Sequence, residues 1–245
     1  MKLWAKALIA ALGLLASPAY SGCKAVTHLN IPFTICEVGV DDDLRLWHSD
    51  SEGTLYGSFG AIDSALGEDE TLSFAMNAGM YHQDRSPVGL FIENYAERSE
   101  IASGGGYGNF GLTPNGVFCF GDGTMQVIET GAYRNADLNC RYATQSGPML
   151  VIDGNLHPRL LPDSDSRYIR NGVGTSADGK RAIFAISDRP VNFHNFATLF
   201  RDALGLSNAL YFDGSVSRLL AADLDRWDIG LPLGVIVGVV VSANR

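Results

Sequence analysis

Basic residues are scarce in this chain of 245 residues: 18 Lys and Arg stand against 27 Asp and Glu, a net charge of −9. A surface that acidic repels nucleic acid and anionic lipid, so neither is an expected partner. Long hydrophobic runs are missing as well. Ala7–Ala16 and Leu233–Val241 are the longest apolar stretches, and each falls well short of the roughly 20 residues that a spanning helix needs. No stable membrane span is expected. There is no HExxH, no P-loop, no G-x-S-x-G and no CxxC, which removes zinc peptidase, nucleotide hydrolase, serine esterase and thioredoxin-like chemistry. His28, His48, His82, His157 and His194 are scattered without metal-ligand spacing. His157, before Pro158, is a possible acid or base, with a structural role preferred. Asp41-Asp42-Asp43 reads as a solvated turn between strands, because no spaced carboxylates and glycine surround it as in a calcium loop. No cofactor is expected, and a structural divalent cation stays open. Gly106–Gly111 matches G-x-G-x-x-G in form only, since Pro114 follows before a helix can open to hold a pyrophosphate.

What is present begins with a leader. Lys2 and Lys6 flank a basic start, Ala7–Ala16 is apolar, and Ala19-Tyr20-Ser21 offers small residues to a signal peptidase. Residues 1–21 therefore read as a signal peptide, and 22–245 as one domain in a periplasm or outside the cell. Cys23 raises lipoprotein anchoring, which Tyr20 disfavours by standing where such signals place Leu. The four cysteines (Cys23, Cys36, Cys119, Cys140) form an even set suited to an oxidising compartment. Three pairings are possible. Cys23–Cys36 with Cys119–Cys140 is preferred because each closes a modest local loop.

Short apolar runs predict strands at Phe33–Val38, Leu44–Trp47, Leu72–Met76, Val88–Ile92, Val117–Phe120, Met149–Ile152 and Ala182–Ile186. Valine density makes Leu233–Val241 a buried final strand. Two helices are predicted: one capped by Ser58 with Phe59, Ile62 and Leu66 on one face, and one over Phe193–Leu204 stopped by Gly205. The fold class is α+β: β-rich mixed sheets with a few helices, a single domain stapled by disulfides.

Six short loops at strand ends pair glycine with neutral polar side chains. They are 75–81, 87–90, 109–116, 143–148, 170–175 and 210–215. Glycine lets a backbone approach a ligand and offer its N–H groups, while Asn, Gln, Ser and Thr suit hydroxyls. Together they are materials for a carbohydrate site. Ordinary turns are the plainer reading of any one loop. The run of six with few charges is what favours a site.

In their order these loops resemble the phosphodiester glycosidase family, which includes the lysosomal uncovering enzyme. Asn77-Ala78-Gly79-Met80-Tyr81 is similar to the family's Asn-Gly-Gly-Phe-Phe element, Arg170–Gly174 to its Arg-Thr-Ala-Ile-Gly element, and Phe212-Asp213-Gly214-Ser215 to its Leu-Asp-Gly-Gly element. The resemblance runs from about Leu44 to Val240 and lies nearest an exported bacterial branch. It implies an enzyme that hydrolyses a sugar-1-phosphate diester, with a carbohydrate or glycan-phosphate partner. The leaving group is then a phosphate monoester, so strong acid catalysis matters less than holding phosphate charge and stabilising a cationic sugar carbon. Arg170 suits the phosphate. Asp213 is the first choice for the sugar side, as nucleophile or as base for water, and Asp188 the second. Asn77, Gly79, Asn115, Gln145, Ser146, Gly147, Thr175, Gly214 and Ser215 are expected substrate contacts. Plainer roles compete: a turn for Asp213, and an ion pair with Asp165 or Asp188 for Arg170. A non-catalytic glycan-binding envelope protein is the alternative for the whole chain.

Overall fold

The computed structural model describes residues 22–103, 105 and 108–243. The expected leader, and Gly106 and Tyr107 of the glycine motif, lie outside them. Strand pairing is antiparallel throughout the described residues, in three sheets. The largest runs in spatial order Gly22–His28, Ile31–Gly39, Arg181–Ser187, Asn171–Thr175, Asn208–Asp213, Met149–Ile152, Asn155–Leu156. A second orders Arg226–Trp227, Leu219–Ala221, Glu70–Asn77, Ile236–Ser242, Asp43–Trp47. The third orders Ala96–Ser99, Phe91–Glu93, Tyr142–Ser146, Gly116–Gly121, Thr124–Glu129.

Period-two burial explains how the sheets stack. In Arg181–Ser187, residues Ala182, Phe184 and Ile186 enter a central core, while Ile183 and Ala185 face the opposite side. Phe184 marks the centre: its ring lies 4.9 Å from Phe74, 5.7 Å from Phe118 and 6.5 Å from Phe212, so one cluster joins all three sheets. Each such ring removed from water contributes about 1.5–3 kcal/mol. The valine-rich strand is sandwiched likewise, with Val237 and Val239 in the central core and Ile236 and Val240 on its other face. That double cover is why its sequence is apolar without alternation.

The helices form where expected, with one change. Ser58 accepts the Ala61 N–H and caps Phe59–Ala65. Asn192 caps Phe193–Thr198, which then widens into a π turn at Leu199–Ala203. Leu199 and Phe200, adjacent in sequence, are both fully buried there under the large sheet. Among the predicted strands, Val88–Ile92 shortens to Phe91–Glu93. Val88 and Gly89 instead form a loop whose Leu90 N–H bonds the Gln145 side chain. Cys23–Cys36 and Cys119–Cys140 are the two disulfides. No helix of the described residues is long and apolar enough to cross a membrane.

Candidate active site

One strand end from each sheet meets at Asp213. Asp213 closes Asn208–Asp213 and lies opposite Asn171, the first residue of its neighbour. Strand ends leave backbone groups without ladder partners, and buried ones must be satisfied by side chains. Asn171 does this: its Oδ1 accepts the Asp213 N–H at 3.0 Å, and its Nδ2 donates to the Asn77 carbonyl at 2.7 Å and side-chain oxygen at 3.0 Å. Asn77 ends Glu70–Asn77 of the second sheet, and its Oδ1 also accepts the Arg218 N–H at 2.9 Å. Ser146 ends a strand of the third sheet and donates to the Phe212 carbonyl at 3.1 Å. All three side chains are fully buried. They fix the carboxylate's position from three directions.

Asp213 itself is buried in a backbone cradle. Its Oδ1 accepts the Gly214 N–H at 2.6 Å and the Ser215 N–H at 2.9 Å. Burial pushes its carboxyl above the usual range, although the N–H groups of Ser215, Gly214 and Val216 pull the other way. Gly214 is required by close approach, since a Cβ there would stand 2.3 Å from the Tyr211 hydroxyl and 3.5 Å from Arg170 Nη1.

Arg170 is fully buried and makes no ion pair among the described residues. Its Nε donates to the Val191 carbonyl at 2.8 Å, Nη2 to the Ser166 carbonyl at 3.0 Å, and Nη1 to the Tyr211 hydroxyl at 3.3 Å. The guanidinium carbon sits 3.6 Å from the centre of the Phe193 ring, a cation–π contact. Desolvation pushes its pKa down, and no carboxylate among the described residues pairs with it. The Tyr211 hydroxyl also accepts from Asn109 Nδ2 at 3.4 Å, and burial raises its pKa, so its own proton stays available to donate. The ion pair considered for Arg170 with Asp188 does not form. Asp188 instead bonds Arg226 at 2.6 Å and Thr34 at 3.2 Å.

Other expected contacts divide. Gly79 packs against Thr144, where a Cβ would lie 3.1 Å from Oγ1. Gln145 spends its amide pinning loops: Oε1 accepts from Leu90 and Ala102, and Nε2 donates to the Ala102 carbonyl and Thr130. Thr175 accepts the Val127 N–H and stands at the far end of Asn171–Thr175, about 13 Å from Asn171 by strand geometry. Asn115 is buried with both amide atoms unpartnered. It abuts Gly147, where a Cβ would strike its Oδ1, and it lines a cleft of about 440 Å³ with Ser103, Thr113, Glu129, Thr130 and Arg134. His157 has a structural role: Nδ1 accepts the Arg159 N–H and Nε2 reaches the Thr113 carbonyl. Among the described residues no three His, Cys, Asp or Glu side chains gather to hold a metal ion.

Sequence reasoning missed Asn171, Tyr211 and Arg218. The first two lie inside loops already singled out, next to Arg170 and Asp213, so adjacency was the available signal. Arg218 is an arginine at the head of the apolar strand Leu219–Ala221, only 8% exposed, with Nε and Nη2 buried and lacking any partner.

Three antiparallel sheets that deliver one strand end each to a buried carboxylate define the architecture of the site. Residues 70–237 match the phosphodiester glycosidase family model, and the chain belongs to that family. Asn77, Arg170 and Asp213 all fall within the match. The uncharacterized protein YigE of Escherichia coli is 31% identical over 176 residues, covering 72% of this chain and 68% of that protein. The zebrafish N-acetylglucosamine-1-phosphodiester alpha-N-acetylglucosaminidase catalytic domain, solved auto-inhibited by its pro-peptide, superposes with a TM-score of 0.62 at 13% identity. That likeness covers 94% of this chain and 85% of the zebrafish one. A putative exported protein of Burkholderia pseudomallei gives 0.51 at 10% identity, over 85% and 74% of the two chains. These two likenesses show the fold.

Proposed function

We propose that the protein is an exported hydrolase that cleaves the sugar–oxygen bond of a sugar-1-phosphate diester in envelope or extracellular glycan, with residues 22–245 as its domain. The observation that carries this reading is the pairing of opposite tasks in one cluster: a cradled carboxylate at Asp213 and an unpaired buried guanidinium at Arg170. Arg170 receives the phosphate oxygens and withdraws charge from the leaving group. The Tyr211 hydroxyl adds a donor on the same side. As the anomeric bond stretches, positive charge grows on the sugar carbon and Asp213 faces it, as nucleophile or as base for water. Water oxygen ends on the anomeric carbon, and the phosphate departs as a monoester. Asp188 is committed to Arg226, which leaves this role to Asp213.

Gly214 and Ser215 supply backbone N–H groups to the cluster, Asn77 and Ser146 hold it in place, and Gly79 is kept as a substrate contact beside Asn77. Asn115, backed by Gly147, lines the cleft where neighbouring sugar hydroxyls would bind. Two disulfides support an oxidising compartment, and the Burkholderia neighbour described as exported agrees with it. The test is release of free sugar from a panel of sugar-1-phosphate diesters by wild type and Asp213→Asn. Release that collapses in the variant is the expected result. Saturable glycan binding with no product from any diester would replace the hydrolase with a binding module.

A further inference from the structure

Arg218 is a second buried guanidinium, with no ion pair among the described residues and no hydrogen-bond partner there for its Nε and Nη2. Leaving charged donors unpaired inside a protein is costly, and native structures seldom do so without a ligand to supply the missing acceptor. Nearby charges are otherwise engaged: Asp228 accepts from Arg226 and from the Leu219 N–H, and Asp188 is held by Arg226. Arg218 is also tied to the Asp213 cluster, because Asn77 holds its N–H and Asn171 links Asn77 to Asp213. Tyr81 lies within electrostatic reach of both Arg218 and Asp213.

Over the stem of Arg218 runs the segment 227–232. A Cβ built on Gly230 would stand 3.5 Å from Arg218 Cδ, so the two are in contact. The segment is anchored on one side by Asp228 at the Leu219 N–H and on the other by the Pro232 carbonyl, which accepts from the Tyr81 hydroxyl at 3.1 Å. Between the anchors it exposes Ile229 at 90% and Leu231 at 69%, with Trp227 at 54% beside them and Leu224 at 40%. These are four of the nine exposed large apolar side chains among the described residues. Single exposed apolar residues need no explanation, but two on a segment anchored at both ends, whose Gly230 lies against Arg218, call for one.

Building on the hydrolase reading, we propose that Arg218 and the apolar segment 227–231 form the aglycone subsite, in which Arg218 shares the phosphate with Arg170 and the segment takes the first hydrocarbon units of a lipid-linked sugar phosphodiester. The guanidinium supplies the charge complement to phosphate, and Ile229 and Leu231 supply the surface along which an alkyl or prenyl chain lies. The occupant is a single amphiphile. An anionic bilayer is repelled by the net charge of −9.

Calorimetric titration with farnesyl phosphate and methyl phosphate tests this without depending on turnover. Wild type is expected to bind farnesyl phosphate about tenfold or more tightly than methyl phosphate, as burial of a few methylene groups requires. Ile229→Ser combined with Leu231→Ser should shrink that preference to about twofold and leave methyl phosphate affinity unchanged. Arg218→Gln should weaken both ligands by about tenfold, the loss of charge-assisted hydrogen bonds. Equal affinity of wild type for the two phosphates would overturn the proposal, as would a preference that survives the double substitution. If Arg218→Gln does not fold, the double variant on exposed side chains carries the test. Turnover of a methyl diester with no chain preference removes the subsite and keeps the hydrolase. Chain-dependent binding with no turnover of any diester removes the hydrolase and keeps the lipid-phosphate site.

Discussion

Asp213 occupies a position that favours function over stability. Burial raises its carboxyl, so the folded chain binds that proton more tightly than the unfolded one. Its contribution to stability is complete below the unfolded carboxylate range and is lost as pH climbs through that range to the raised folded value. Asp213→Asn removes the charge and keeps an oxygen for the Gly214 and Ser215 N–H groups. We expect the variant's Tm at pH 7 to equal or exceed that of wild type, with any gap closing in acid, while turnover falls on the order of 10³-fold. Thermal scans across pH, run with activity, check both halves. A joint fall in Tm and turnover would mean the carboxylate merely holds the turn. Arg170 makes the complementary prediction. An unpaired buried cation should bind inorganic phosphate, raising stability by about 1.4 kcal/mol at ten times Kd. Arg170→Gln lowers the baseline by freeing the Val191 and Ser166 carbonyls, so the readout is the phosphate-induced shift in Tm, which should shrink to what Arg218 alone supports.

Elements place these residues, and a strand irregularity does much of the placing. The ladder between Asn171–Thr175 and Asn208–Asp213 shifts register between Asn171 and Gly172, which sets Asn171 opposite Asp213 and Gly172 opposite Tyr211. A Cβ on Gly172 would stand 2.4 Å from the Leu210 carbonyl, backbone that cannot swing aside. Gly172→Ala should therefore cost about 1–3 kcal/mol and depress turnover by prying Asn171 from the Asp213 N–H. Denaturant unfolding and kinetics measure the two effects, and an unchanged midpoint would contradict the close approach. The elements legible in sequence were those with local signals, whereas the strands Tyr142–Ser146, Asn171–Thr175 and Asn208–Asp213, read as loops, and the helix Thr130–Asn135 were missed. Ser58 before Phe59, Ile62 and Leu66 foretold the first helix, and valine density foretold the final strand. The π turn and the lost Val88–Gly89 strand were not legible. Both depend on what packs from elsewhere: the large sheet above Phe200, and Gln145 beneath Gly89.

At the scale of the molecule, the three sheets share one core around Phe184 and bring loops 135 residues apart in sequence into one cluster, Asn77 meeting the segment around Phe212. The family resemblance and the chemistry it implies single out Asp213 and Arg170 in the sequence, and the fold brings both beside Tyr211 and Gly214. Which loops meet was not readable. Thr175 accepts the Val127 N–H at the far end of its strand, Asp188 pairs with Arg226 just past the end of its own, and Gln145 is consumed by backbone it must satisfy. Arg218 carried no local signal at all, because its meaning lies in partners it lacks. The central claim is that the bond broken is sugar carbon to oxygen, not phosphorus to oxygen, and hydrolysis of a turned-over diester in ¹⁸O-water tests it most directly. The account predicts the label in the released sugar and none in the phosphate monoester. Label in the phosphate would contradict it and make the protein a phosphodiesterase that attacks phosphorus.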